Sequence, residues 1–255
     1  MKLFYKTFWL EKESKKPEEY EDALATPVDR EEIELKDKLA FGIADGASVG
    51  VESKRWAEAL VECFKETKEI GDEFWKKAYE KWEDWKESYI KERIEENNPL
   101  KWYEEEGLRE GPFSTFLGIL FDINNDIPKV KAIAVGDSCL FLVRDNELKK
   151  AFPISSSYDF SDFPSLVSLD SIIYGNLKVE KYEDDLHEGD EFYLLTDALA
   201  HWFLKEHESG NPPWIELSKI SSIDEFIDFV KKLREARKVK NDDVTFIHIV
   251  TSKNN

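Results

Sequence analysis

Over residues 53–144 the apolar pattern switches once, from a helical to a strand period, and this segregation constrains the fold more than any other feature. Trp56, Ala59, Leu60, Cys63 and Phe64 recur at the spacing of one helix face. After Gly71, the residues Phe74, Trp75, Ala78, Tyr79, Trp82, Trp85 and Tyr89 repeat every three or four positions and predict a second helix over 72–96. Then FSTFLGILFD, KVKAIAVGD and SCLFLVR read as strands, with Asn124-Asn125 and Asp145-Asn146 as the turns between them. A parallel doubly wound sheet would alternate helix with strand. Helices and strands in blocks predict an α+β fold instead.

Further strands are predicted at 3–10 (LFYKTFWL) and 38–44 (KLAFGIA), separated by a polar stretch that contains a short YEDAL segment. Residues 152–180 are rich in Ser, Asp and Pro with weak periodicity, and read as an irregular flap or loop. A strand over 190–196 runs into a helix over 197–206; a helix near 222–236 and a closing strand at 243–250 follow. With no repeat, linker or composition shift, residues 1–255 are expected to form a single domain. At 41% hydrophobic residues the chain can bury a core, and the aromatic stripe over 72–96 reads more simply as core than as a ligand surface.

A formal charge of -19 disfavours nucleic acid and anionic lipid, both of which need a basic surface. Cys63 and Cys139 lie in separate apolar runs and read as free, buried thiols. The N-terminal segment lacks the apolar core of about 7–15 residues found in a signal peptide, and no run approaches the ~20 apolar residues of a membrane span. A cytoplasmic location without membrane attachment is therefore expected.

The chemistry concentrates in carboxylates at the ends of apolar runs: Asp22 in YEDAL, Asp45 in IADGAS, Asp137 in AVGDS, Asp197 in LLTDAL and Asp242 in KNDDVTF. A carboxylate beside a core is costly unless it is hydrogen-bonded or bound to a cation. Oxygen donors without a His or Cys cluster select hard cations such as Mg²⁺, Mn²⁺ or Ca²⁺. Gly46 lets the backbone turn, so that its carbonyl could also face a metal. Spacing alone leaves two readings open, a carboxylate metal site or a scatter of caps and turns.

The order of these motifs resembles the protein phosphatase 2C family over nearly the whole chain. YEDAL resembles its Glu-Asp motif, ADG its Asp-Gly, GPFSTFLGILFD its Gly-Ser/Ala-Thr-Ala strand and AVGDSCLFLV its Val-Gly-Asp-Ser hairpin. YLLTDAL resembles its Thr-Asp-Gly segment and NDDVTFIHIV its terminal Asp-Asn-Ile-Thr strand. The wording DGAS, STFLG and TDALAHWFL is similar to a bacterial subgroup of that family. The resemblance implies a four-layer α-β-β-α sandwich, two antiparallel sheets flanked by helices. It implies a metal-dependent protein serine/threonine phosphatase that uses Mn²⁺ or Mg²⁺, two ions and in some members three. Asp45 would bridge two cations; Glu21 or Asp22 and the Gly46 carbonyl would hold one, and Asp197 and Asp242 the other. Asp137 matches the aspartate placed near the third. Water activated between the cations would attack phosphorus directly, and phosphoproteins, opposed by a Ser/Thr kinase, would be the partners of a monomeric enzyme.

Several family features are missing. Ala47 stands where a His follows Asp-Gly in many members, and Pro17 where an Arg grips phosphate; Lys15 or Lys16 are the substitutes considered for it. His201 takes the place of a second acidic residue, as a third-metal ligand, a proton donor or a cap against Trp202. Ser114 and Thr115 have no adjacent base and read as core, and Asp243 as support rather than ligand. Two rival readings follow: a binding module without turnover, and a hydrolase of small phosphate esters whose substrate choice is set by the 152–180 flap.

Overall fold

The computed structural model describes residues 1–28, 31–48, 50–124 and 127–252. Among these the strands are β1 (Lys2–Leu10), β2 (Asp22–Ala25), β3 (Glu32–Glu34), β4 (Leu39–Asp45), β5 (Phe113–Ser114), β6 (Phe116–Asp122), β7 (Lys129–Val135), β8 (Cys139–Arg144), β9 (Glu147–Phe152), β10 (Val167–Ser168), β11 (Glu180–Asp185), β12 (Glu191–Leu195) and β13 (Val244–Ser252). The helices are α1 (Ser53–Thr67), α2 (Asp72–Glu95), α3 (Trp102–Glu110), α4 (Leu169–Ile173), α5 (Asp197–Glu208), α6 (Pro213–Leu217) and α7 (Ile223–Glu235).

Two antiparallel sheets stack face to face, ordered β3-β1-β13-β12-β8-β9 and β11-β7-β6-β4-β2, and β10 pairs with β5 as a separate ribbon. Strand alternation supplies the faces. In β4, Leu39, Phe41 and Ile43 enter the core between the sheets, while Ala40 and Ala44 lie under α1. In β8, Leu140 and Leu142 face the same inner core, and Cys139, Phe141 and Val143 face α5. The outer helical layers are α1 and α2 on one side and α5, α6 and α7 on the other, each with its own apolar cluster. The architecture is the predicted four-layer α-β-β-α sandwich.

The aromatic stripe of α2 is core over its first half. Phe74, Trp75, Ala78 and Trp82 are buried, and Tyr79, Trp85 and Tyr89 pack partly covered beside them. Trp56 and Trp82 meet edge to face at 6.0 Å, and burial of each large ring contributes about 1.5–3 kcal/mol. Asp145 and Asn146 both take positive φ, 55° and 57°, as a two-residue hairpin turn requires. Asn125 of the other anticipated turn lies outside the described residues. The stretch 113–122 is not one strand: it breaks at Thr115 into β5 and β6. Both cysteines are free and buried. Among the described residues no helix is long and apolar enough to cross a membrane.

Candidate metal centre

Strand register brings the first two carboxylates together. Asp22 opens β2, Asp45 closes β4, and the two are direct partners across the antiparallel pair. Asp137 sits in the turn from β7 to β8, Asp197 is the first residue of α5 directly after β12, and Asp242 precedes β13. Asp45 is the centre of the group: Asp22, Asp197, Asp242 and Asp137 all act on it electrostatically.

Neighbouring hydroxyls and amides fix these side chains. Thr245 donates to Asp22 Oδ2 at 2.6 Å, and its own amide donates to the Thr196 hydroxyl at 2.9 Å. Tyr20 hydrogen-bonds the Thr245 hydroxyl as well. The break at Thr115 has a use here. The Asp45 amide donates to the Thr115 hydroxyl at 3.1 Å, while the Ser114 hydroxyl and the Thr115 amide donate to the Asp45 carbonyl at 2.8 and 2.9 Å. Asp243 spends both oxygens on backbone, accepting from the Lys12 amide at 2.8 Å and the Glu21 amide at 2.7 Å. Arg234 holds the Asp242 carbonyl at 2.6 Å. Asp197 accepts from the Ala198 amide at 2.5 Å, where the helix N-terminus favours negative charge.

Gly46 and Gly136, beside Asp45 and Asp137, have no room for a side chain. A side chain at Gly46 would come within 2.7 Å of the Glu21 carbonyl and 2.9 Å of the Ser53 backbone, so α1 starts directly against the Asp-Gly turn. Gly136 turns the chain into Asp137 at φ +99°, with Thr115 and the Ser165 carbonyl less than 3.0 Å from where a Cβ would stand.

The field in this cluster is strongly adverse to negative charge. Burial, and secondarily the other carboxylates, raise Asp45 well above the ordinary range. Burial pushes Asp22 up to about 8; burial and then Asp197 push Asp137 up to about 7; burial and then Asp242 push Asp197 up to about 6. Asp22 Oδ1 and Asp137 Oδ1 are buried without a hydrogen-bond partner. Clustered, desolvated carboxylates with orphaned oxygens fit a hard divalent cation. Among the described residues no three His, Cys, Asp or Glu side chains group tightly enough to form a coordination shell by themselves.

The remaining candidates lie at the rim. Glu21 accepts from Ser48 at 2.7 Å and from Lys12 at 3.4 Å. Lys15 is paired with Glu19 at 2.8 Å, and the Lys16 amide is capped by the same carboxylate at 3.1 Å. Lys12, which sequence reasoning passed over, is the lysine that reaches the cluster. His201 packs edge-on against Phe160 at 5.3 Å, and burial and then Lys205 and Lys240 lower its pKa. A groove of about 800 Å³ between α2 and residues 171–179 has none of the cluster carboxylates in its lining. An open cleft of about 590 Å³ does adjoin the cluster, lined by Lys12, Lys15, Glu21, Ser48 and Lys54 among others.

No protein-family model matches the chain, and no curated protein matches it in sequence. Solved structures do match. The catalytic domain of the serine/threonine protein phosphatase PstP, in complex with two manganese ions, is 16% identical with a TM-score of 0.58 over 99% of both chains. The serine/threonine phosphatase Stp1 from Staphylococcus aureus is 15% identical with a TM-score of 0.60, over 98% of this chain and 95% of the other. RsbX in complex with magnesium is 16% identical with a TM-score of 0.54, over 98% and 96%. What these identities establish is a shared fold, that of the protein phosphatase 2C type serine/threonine phosphatases.

Proposed function

We propose that this chain is a metal-dependent phosphatase that hydrolyses phosphoserine or phosphothreonine in proteins. The observation that carries the reading is the Asp22–Asp45 pair at the centre of an all-oxygen cluster. Two like charges directly opposite each other across a strand pair are destabilising unless a proton or a cation neutralises them. Two divalent cations held by Asp45, with Glu21 or Asp22 and the Gly46 carbonyl for one and Asp197 and Asp242 for the other, would neutralise a phosphate ester and acidify an attacking water.

The chain's own groups do the positioning. Ser114 and Thr115 clamp the Asp45 backbone, Thr245 orients Asp22, and Asp243 ties the Glu21 backbone to the start of β13. Direct attack by water fits the state of the hydroxyls that clamp Asp45 and of the two thiols. Ser114 and Thr115 are buried and committed to hydrogen bonds. Burial also raises the pKa of both thiols, and these groups therefore stay neutral. Asp45, Asp197 and Asp242 are partly exposed, and Glu21 lines an open cleft, an arrangement that suits a side chain presented on a polypeptide. The neighbours described as serine/threonine phosphatases support the same substrate class.

The test is phosphate release from a phosphothreonine peptide in EDTA, Mg²⁺ or Mn²⁺, for wild type and Asp45→Asn. Release that requires the cation and disappears in the variant is the expected result. A folded, cation-loaded wild type that releases no phosphate would leave a binding module in place of an enzyme.

A further inference from the structure

Among the described residues Lys12 is the one Lys or Arg whose side-chain nitrogen lies within 4.0 Å of a carboxylate of the cluster, 3.4 Å from Glu21 Oε2 and 3.9 Å from Asp242 Oδ1. Its main chain is anchored, the amide donating to Asp243 Oδ1 at 2.8 Å, so the root of the side chain is fixed to the site. Both ammonium contacts are longer than the 2.7–3.2 Å of a good hydrogen bond, so the head of the side chain is held less tightly than its root. Lys12 also lines the open cleft of about 590 Å³. Of the other lysines lining this cleft, Lys15 pairs with Glu19 at 2.8 Å, and Lys54 has no carboxylate of the cluster within 4.0 Å among the described residues.

We propose that Lys12 is a phosphate-binding residue, whose ammonium leaves Glu21 and Asp242 to hold the phosphoryl oxygens of a bound phosphate monoester. The proposal rests on the phosphatase reading above. Its physical basis is competition for charge. Glu21 and Asp242 are carboxylates that a divalent cation would neutralise, and a neutralised carboxylate attracts an ammonium only weakly. A phosphate dianion in the same cleft offers stronger acceptors, and the three N–H donors of a lysine can reach two of its oxygens without backbone movement. In a chain of net charge -19, a cation already at the cluster also offsets the repulsion an incoming phosphate meets.

The experiment titrates inorganic phosphate into the Mn²⁺-loaded protein by calorimetry, after Mn²⁺ itself has been titrated, for wild type, Lys12→Met and Lys12→Arg. Phosphate affinity should fall about 10- to 100-fold in Lys12→Met and recover in Lys12→Arg, the scale of losing a hydrogen bond to a charged group. Mn²⁺ affinity should stay level or tighten, since a competing ammonium has been removed. If Lys12→Met binds phosphate as wild type does while Mn²⁺ binding is intact, the role of Lys12 is overturned and the phosphatase reading stands. If wild type binds neither Mn²⁺ nor phosphate, both are overturned.

Discussion

Asp22 and Asp45 stand directly opposite each other across the β2–β4 pair, one opening its strand and the other closing it. Opposed carboxylates cost stability, by up to about 1 kcal/mol in ordinary strand pairs, and here burial adds to the cost. A chain selected for stability alone would not keep both. Asp45→Asn should therefore lower phosphate release by more than about a hundredfold while raising the melting temperature in EDTA by about 2–4 °C. Paired activity and melting measurements decide it: an inactive variant that melts lower than wild type in EDTA would point to a structural role for Asp45.

The raised acids give a pH dependence with a definite sign. A carboxyl whose folded pKa lies above its unfolded value favours folding below the unfolded value and loses that contribution as pH rises through the folded one. With Asp197 at about 6, Asp137 at about 7 and Asp22 at about 8, the cation-free protein should lose stability between pH 4 and pH 8. Mn²⁺ should reverse the trend. At a hundredfold excess over its dissociation constant it should raise the melting temperature by about 5–10 °C at pH 8, and by less at pH 6, where protons compete. A shift that is equal at both pH values would separate cation binding from these carboxylates.

The Thr245 hydroxyl donates to Asp22 Oδ2 while hydrogen-bonding Tyr20. Thr245→Val keeps the shape and removes that bond. It should weaken Mn²⁺ binding about 10- to 100-fold and cost about 1–3 kcal/mol of stability. Calorimetric titration alongside urea unfolding would separate the two effects. Unchanged Mn²⁺ affinity would place Asp22 outside the cation site.

A remote buried pair supplies the control. Asp190 is fully buried and accepts from Arg144 at 2.5 and 3.0 Å and from the His187 amide at 2.9 Å. Removing one partner of such a pair costs about 3–5 kcal/mol. Arg144→Ala should lower urea stability by roughly that amount and leave Mn²⁺ affinity untouched. A changed affinity would mean that destabilisation anywhere reaches the cluster, and Thr245→Val would then lose its meaning.

What was legible in the sequence was whatever burial writes into it. The α2 stripe, the apolar strand at 38–44 and the Asp145-Asn146 turn were readable because each position has a core or a φ to satisfy. The edge strands β3 and β11 were not: Glu32–Glu34 and Glu180–Asp185 are largely charged, since one or both faces meet solvent and leave no apolar period. The aspartates stood out because charge beside a core is unusual. Ser114, Thr115 and Thr245 did not, because a buried hydroxyl in a strand looks like filler until its partner is known. Lys12 was hidden more thoroughly, one among 36 Lys and Arg, and only the return of the chain from Asp242 marks it.

The irregular segment 152–180 is tied down at several points. Ser156 and the Ser157 amide donate to Glu208 at 3.0 and 2.8 Å, Phe160 lies on His201, and Asp162 pairs with Lys240. Further on, the Val167 carbonyl accepts from Trp56 at 3.0 Å and β10 pairs with β5. Between these anchors Tyr158 and Phe163 are each 91% exposed. If they contact the polypeptide around a phosphorylated residue, replacing both with Ser removes apolar contact without touching the cluster. The double variant should raise KM for a phosphoprotein about 5- to 30-fold, the range of one or two interface side chains, with p-nitrophenyl phosphate turnover and Mn²⁺ affinity unchanged. Equal losses on both substrates would mean that the segment supports the site itself, and no change on either would remove it from substrate choice.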